Sequence, residues 1–341
     1  MLPKIKLTVF LFFLSSSFVF SQNNKLDSLF YTLDKSSDNT SEIEILKQIA
    51  TEISSSAIDS IELIAGNIFK FSEKDNDNLL LSKLHFTIAY TYFLKKDWVM
   101  AIKKFLSAQS YIKKNENLEL ESELLEYMGY AYSKIGLRNK AIFFYESSIE
   151  IEKDSLKMGL RYQKLGFFIA MDLLEKLKVR EVLDTDLSII NNSQEIKNTL
   201  NFLKTALAIG INNKNQQLIK SSYNTIAIIH LLTGNNDKAW DYFQQSLQLN
   251  IKRKDTRDIA NSYGNLAETA FRMGKHDKSI ALWQKSFDYL KNIDDPFMKA
   301  DHYKGLARVY YAKKDFTKTL FYIEKSIEIE QNYSLDEPLA K

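Results

Sequence analysis

The chain has 341 residues, 45% hydrophobic, 13% aromatic and 26% charged, which excludes disorder by composition and permits a large core. Lys and Arg (46) nearly balance Asp and Glu (43), and setting aside Lys4 and Lys6 brings the chain close to neutrality, which excludes a basic field for nucleic acid. The absence of cysteine excludes disulfides, thiolate metal ligands, cysteine nucleophiles and a lipidated N-terminal cysteine, and 3 prolines among abundant helix formers read as an all-α chain.

Residues 1–21 differ from the rest. Lys4 and Lys6 precede an apolar run from Leu7 to Phe20, and Val19 and Ser21 are small enough for cleavage after Ser21. This is the pattern of a secretory signal peptide, so the expected location is exported, periplasmic or secreted. An uncleaved anchor is the alternative, but the run is shorter than the roughly 20 residues of a spanning helix. No later stretch reads as a membrane span, because charges interrupt each one at helical spacing, as in Phe143 to Ile151.

Residues 22–42 form a lead-in, with a short amphipathic helix and then a Ser/Asp/Asn cluster. Ile43 to Phe71 reads as a shortened helical hairpin, with Leu46, Ile49, Ala50 and Ile53 on one helix and Ile61, Ile64, Ala65 and Ile68 on the other. Its departure from the later pattern suits the end of a stacked array.

From Ile88 onward one pattern returns. Ala89, Tyr92, Ala101 and Phe105 are matched in the same order and spacing by Gly129, Tyr132, Ala141 and Tyr145. Ala227, Ala267 and Ala307 keep the same interval, followed by Ala239, Ser279 and Thr319 and then by Phe243, Trp283 and Ile323. A fixed period of this length marks a solenoid of stacked hairpins. The small residues mark where the two helices of a hairpin cross, the aromatic ones fill the space between hairpins, and Gly136, Gly234 and Gly274 fit left-handed helix ends.

The middle breaks register. Leu165, Gly166 and Ile169 open a helix that runs on through Leu177 and Val182, and its partner resumes only at Thr199, Leu203 and Ala206. Leu183 to Gln194 reads as a loop inserted by about 21 residues, making an irregular, extended repeat at about 155–212. The alternatives are a lengthened hairpin or a boundary between two sub-arrays. Near the end, Ala340 continues the series of Ala260 and Ala300 at the repeat interval, so Glu337 to Lys341 has the pattern of another first helix.

Catalytic patterns are missing. His85, His230, His276 and His302 are not at metal-ligand spacing, and His230 falls at an inward position taken by Tyr132 or Tyr310 in other repeats. The acidic run Glu116 to Glu126 alternates with leucines and reads as a solvated helix face. There is no GxGxxG, phosphate loop or serine elbow. The expectation is a non-enzymatic protein without cofactor or metal.

The segments Tyr263-x-x-Leu266-Ala267 with Gly274, Ile280 and Trp283, and Met128-Gly129-x-x-Tyr132-x-x-x-Gly136 with Ala141, resemble tetratricopeptide repeats, in the longer variety of that family. Ser279 and Thr319 stand where that family favours alanine, and Lys96 and Lys314 where it favours the turn glycine. The resemblance implies an α-solenoid over 43–341, a right-handed superhelix whose first helices line a concave groove for a peptide or protein segment. Outward groove positions would be Phe86, Tyr90, Phe93, Glu126 and Tyr130 in an aromatic first half, then Asn224, Asn261, Asn265, Glu268, Lys304 and Arg308 in a polar second half. The Lys and Asn pairing that clamps a C-terminal carboxylate in chaperone-binding members is not reproduced, since Glu126 and Tyr130 occupy those places. Two functions fit: an exported interaction scaffold, or the extracytoplasmic sensor region of a larger histidine kinase or DNA-binding regulator.

Overall fold

A helix ends sharply where one residue turns left-handed, and this chain does so at regular intervals. Gly136, Gly234 and Gly274 have φ of 74°, and Lys96, Lys214, Lys254 and Lys314 enter the same region at φ 53–61°. The next residue returns its N–H to a carbonyl on the preceding turn: Asp97 to Tyr92 at 3.0 Å, Asn235 to His230 at 2.8 Å, Lys275 to Ala270 at 2.9 Å, Asp315 to Tyr310 at 3.0 Å. This satisfies a carbonyl the helix end leaves free. The lysines at 96 and 314 therefore preserve the turn that glycine makes elsewhere. Lys214 and Lys254 make the same turn between successive hairpins, so in the second unit it recurs within and between hairpins alternately, at Lys214, Gly234, Lys254 and Gly274.

The following helix is then capped. Asp97, Asn215, Asp255 and Asp295 each accept a hydrogen bond from the backbone N–H three residues on, at 2.9–3.2 Å. Pro296 takes the first helical position, where its missing N–H costs nothing.

The computed structural model describes residues 24–36, 39–54, 78–112, 117–182 and 194–334. Among these the chain forms fourteen helices and no strand. The expected signal peptide, the helix expected at Ile61 to Ile68, the loop expected after Val182 and the segment Glu337 to Lys341 lie outside the described residues. None of the described helices is long and apolar enough to cross a membrane.

The chain divides into two units, Met1–Arg161 and Tyr162–Lys341. In the first, α1 (Asn24–Lys35) and α2 (Asn39–Ser54) precede two hairpins, α3 (Asn78–Leu94) with α4 (Trp98–Tyr111) and α5 (Leu118–Lys134) with α6 (Arg138–Ile151). Helix α7 (Ser155–Val182) starts in the first unit and continues into the second, so the division falls inside a helix rather than in the expected loop. The second unit pairs α7 with α8 (Gln194–Asn212), where Leu203 lies against the bare backbone of Gly166. Three hairpins follow: α9 (Gln216–Leu232) with α10 (Asn236–Arg253), α11 (Thr256–Arg272) with α12 (His276–Leu290), and α13 (Pro296–Ala312) with α14 (Phe316–Ser334).

At each crossing the paired small residues are sealed. Ala89, Ala101, Ala141, Ala227, Ala239, Ala267 and Ser279 are all 0% exposed. A Cβ at Gly129 would come within 3.0 Å of the Tyr145 ring, and one at Gly305 within 2.3 Å of the Trp283 ring. Ser279 replaces alanine because its hydroxyl donates across the crossing to the Ala267 carbonyl at 2.7 Å. Thr319, in the last hairpin, donates instead to the Asp315 carbonyl just ahead of its own helix, at 2.9 Å.

Three histidines belong to this core. His230 stacks on Tyr242 with ring centroids 5.8 Å apart, and His85 on Tyr111 at 5.3 Å. His302 lies 4.9 Å from the Trp283 ring, and its Nδ1 is 3.1 Å from the Ser286 hydroxyl. Burial holds all three at about 4, below the ordinary histidine value of 6.5.

The turns and the buried histidines can both be tested by unfolding. Lys314→Gly should raise stability in urea by about 0.5–1 kcal/mol by relieving a side chain from the left-handed region, and Gly274→Ala should lower it by about 1 kcal/mol. For His302, the unfolded chain binds a proton between pH 6.5 and 4 that the native chain refuses. Stability is therefore full above pH 6.5 and is lost as pH falls toward 4, by about 3 kcal/mol from this residue. Urea titrations at pH 7.5 and 4.5 should show a smaller difference for His302→Gln than for the unaltered chain.

Candidate functional site

In the first unit, the helical period brings Tyr90 and Phe93 of α3 to one face and Tyr127 and Tyr130 of α5 to another. The two faces meet. Tyr127 lies 4.9 Å from Tyr90 and 5.0 Å from Phe93, while Phe93 is 5.2 Å from Tyr130 and 5.4 Å from Trp98 at the start of α4. These edge and offset arrangements fix the rings against one another. Tyr130 is 37% exposed and Tyr90, Phe93, Trp98 and Tyr127 are half-buried, so the cluster presents an aromatic platform. Phe86, expected to face outward, is 0% exposed. It packs beneath the platform on Phe105 at 5.9 Å and Tyr127 at 6.1 Å, because its side of α3 faces the hairpin partner.

Below the platform lies a buried ion network. Arg161 of α7 is 1% exposed, yet its guanidinium meets three carboxylates: Glu126 at 2.8 Å, Glu123 at 3.6 Å, and Glu152 in close contact. Glu123 also receives the Lys47 ammonium at 2.6 Å. Glu152 accepts the Ser122 hydroxyl at 3.0 Å and the backbone N–H groups of Lys153 and Asp154 at 2.9 and 2.8 Å. The sequence pattern places Glu126 in the groove and the acidic run on a solvated face. Glu123 and Glu126 are instead only 8% exposed, because Arg161 and Lys47 compensate their charge. Burial lowers the Lys47 pKa, and the Glu123 and Glu44 carboxylates together more than offset this, leaving it raised. Burial, then Glu123, pushes the Tyr127 hydroxyl above the ordinary phenol range, so it stays neutral. The Lys47 ammonium, 5.3 Å from the Tyr127 ring, links network and platform.

The second unit carries the polar positions. Asn265 of α11 donates to Asn224 of α9 at 3.1 Å, forming an amide pair between neighbouring first helices. Asn261 is exposed one turn away. Glu268 bridges Arg272 at 3.0 Å and Arg308 at 2.8 Å, and Lys304 pairs with Glu330 in close contact and with Asp301 at 3.9 Å. Glu268 and Arg308 thus neutralise each other, and the Asn pair offers amide N–H and carbonyl capacity beyond its internal bond.

Reading equivalent positions of the repeat missed Tyr127 and Trp98, since the position matching Tyr127 in the preceding repeat is Thr87. The i, i+3 spacing of Tyr127 and Tyr130, the same as that of Tyr90 and Phe93, was the available signal. Arg161 was also missed, although a charge one helical turn before the buried Leu165 sits on an apolar stripe and needs a partner. Among the described residues, no group of three or more His, Asp or Glu side chains could hold a metal ion.

Breaking the network should cost far more than breaking a surface pair. Arg161→Met is expected to lose about 3–5 kcal/mol in urea unfolding, and Glu119→Gln, which removes the half-exposed pair with Lys157, about 1 kcal/mol or less. Equal losses would contradict this reading of Arg161.

Residues 258–332 and 127–155 match tetratricopeptide repeat family models. No curated protein matches the sequence. Among solved structures, the apo form of RapI is 14% identical, covers 98% of this chain and 99% of that chain, and superposes with a TM-score of 0.65. Aspartyl phosphate phosphatase F from Bacillus subtilis is 14% identical, with 96% and 94% covered and a TM-score of 0.55. A Rap protein complexed with competence and sporulation factor is 13% identical, with 97% and 98% covered and a TM-score of 0.50. At these identities the likeness is one of fold. The fold is an α-solenoid of helical hairpins, in which residues 127–155 and 258–332 are similar to tetratricopeptide repeats.

Proposed function

We propose that the chain is a non-enzymatic, exported interaction scaffold that binds a peptide or protein segment along the first helices of its hairpins. The observation that carries this reading is the platform of Tyr90, Phe93, Trp98, Tyr127 and Tyr130, whose rings are held by one another and by the buried network beneath. Rigid aromatic surface binds an apolar side chain with little loss of conformational entropy. The Asn224 and Asn265 amides support backbone recognition in the second unit, where a peptide strand supplies the complementary N–H and C=O groups. Asn261, Lys304 and Arg308 would add polar contacts at its edge. One structurally similar protein is described as complexed with competence and sporulation factor, which is compatible with peptide binding here but is a property of that protein. Another is described as a phosphatase; in this chain the carboxylates around Arg161 are engaged in charge pairing, which favours a structural role over a chemical one. Export rests on the pattern of residues 1–21. No observation among the described residues favours the reading as a sensor region of a larger regulator.

Selection of displayed peptides against the purified chain should yield ligands with apolar or aromatic anchors. Their affinity should fall about tenfold or more with Tyr130→Ala and be unchanged with Phe143→Ser on α6. Ligands indifferent to Tyr130→Ala would remove the platform from the binding site.

A further inference from the structure

One position of the repeat ties each hairpin to the one before it, and its chemistry changes along the chain. Ser262 of α11 receives a hydrogen bond at 2.9 Å from Asn250 at the end of α10, a joint that cannot titrate. One repeat later the same position holds His302 of α13, which reaches back to Ser286 of α12. The Ser286 hydroxyl has one proton and donates it to the Ala260 carbonyl at 2.7 Å, so the 3.1 Å contact with His302 is a bond donated by the imidazole Nδ1. The ring proton therefore sits on Nδ1 and leaves Nε2 bare. That suits its surroundings: a Cβ on Gly264 of α11 would come within 2.7 Å of Nε2, and Trp283 and Phe287 of α12 pack on the ring at 4.9 and 5.9 Å. Among the described residues Nε2 has no hydrogen-bond partner. His85 and His230 differ, because each stacks on a tyrosine of its own hairpin, whereas His302 lies between two hairpins.

We propose that His302 is an acid-sensitive latch: a proton taken up at its Nε2 loosens the joint between α12 and α13 and opens the last hairpin, α13 with α14, away from α11 and α12. The added charge would enter a ring that is 5% exposed and point a new donor at bare backbone and aromatic carbon. From α12 the ring meets the uncharged Trp283, Ser286 and Phe287, and from α11 it meets Gly264. The charged group that acts on it is Asp295, at the head of its own helix. Asp295 already accepts the Met298 N–H and the Arg257 guanidinium, so it is committed elsewhere. The ion pairs across the same joint outlast the latch. Burial raises the Asp295 pKa, but Met298 and Arg257 more than offset this and leave it lowered, and the Lys313 ammonium lowers that of Asp277. Both carboxylates therefore stay ionised where His302 takes up its proton. The hairpin that opens carries Lys304 and Arg308, so the latch acts on the polar end of the second unit.

Amide hydrogen exchange at pH 7.5 and 4.5, corrected for intrinsic rates, reads the opening without any ligand. The opened hairpin binds the His302 proton at the ordinary histidine value of 6.5 and the closed one only at about 4, so protection of α13 and α14 should fall about fiftyfold between the two conditions. His302→Asn keeps a donor near the place of Nδ1 and cannot titrate. In that variant most of the loss in α13 and α14 should disappear, while any loss around His230 in α9 and α10 remains. An equal loss in His302→Asn would overturn the proposal, as would unchanged protection of α13 and α14 in the unaltered chain. Circular dichroism shows whether the variant is folded. Nitrogen NMR of the unaltered, histidine-labelled chain gives a second reading that needs no variant: the His302 proton should sit on Nδ1 at pH 7.5, and its titration should coincide with the loss of protection in α13 and α14. A proton on Nε2 at pH 7.5, or a titration that leaves the hairpin protected, would contradict the latch.

Discussion

Two helices cross in each hairpin with nothing larger than a short side chain between them, and this close approach sets the rest of the structure. Where Ala267 meets Ser279, both are sealed from solvent and the serine hydroxyl is satisfied by a carbonyl of the opposite helix. Interiors packed this tightly allow little local adjustment. The crossing therefore fixes where Trp283 lies, Trp283 fixes how near Gly305 of the next hairpin can come, and His302 and Ser286 fill the remaining space. Repeated within each unit, this constraint stacks a hairpin on the next, as in other solenoids.

The first unit adds charge to this scheme. Arg161 is nearly inaccessible and surrounded by three glutamates, an arrangement that is costly to form and costly to break. It joins α5, the end of α6 and the start of α7, and through Glu123 it reaches Lys47 on α2. Directly above, Tyr127 touches Phe86, Tyr90, Phe93 and Phe105. The platform is rigid because its central ring rests on a network that cannot shift without exposing a buried charge. In the second unit, charged groups on the same helices pair with each other, and the amides of Asn224 and Asn265 take their place as polar contacts.

Much of the fold was legible because it repeats. The small residue at Ala89, Gly129, Ala227, Ala267 and Ala307 recurs at a fixed interval for a steric reason, so each copy reports the same packing. The turn lysines were harder to read: Lys96 and Lys314 look like lost glycines until their φ values show them making the same turn. The candidate site was legible only in part, because groove positions follow from counting along the helix from the small residue, and counting cannot register a partner. Glu126 and Tyr130 project from one helix a turn apart, yet Arg161, on a helix further along the chain, draws the first inward while the second stays exposed. The same counting places Phe86 outward, and it is buried, because Phe105 and Tyr127 enclose it.

The scaffold reading depends on the aromatic platform being the surface that meets a ligand. Amide hydrogen exchange on the chain with and without a selected peptide addresses this most directly, since it reports where protection appears. Protection concentrated in α3 and α5, around Tyr90, Phe93, Tyr127 and Tyr130, is the predicted result. Protection confined to α4 and α6, with α3 and α5 unchanged, would contradict it.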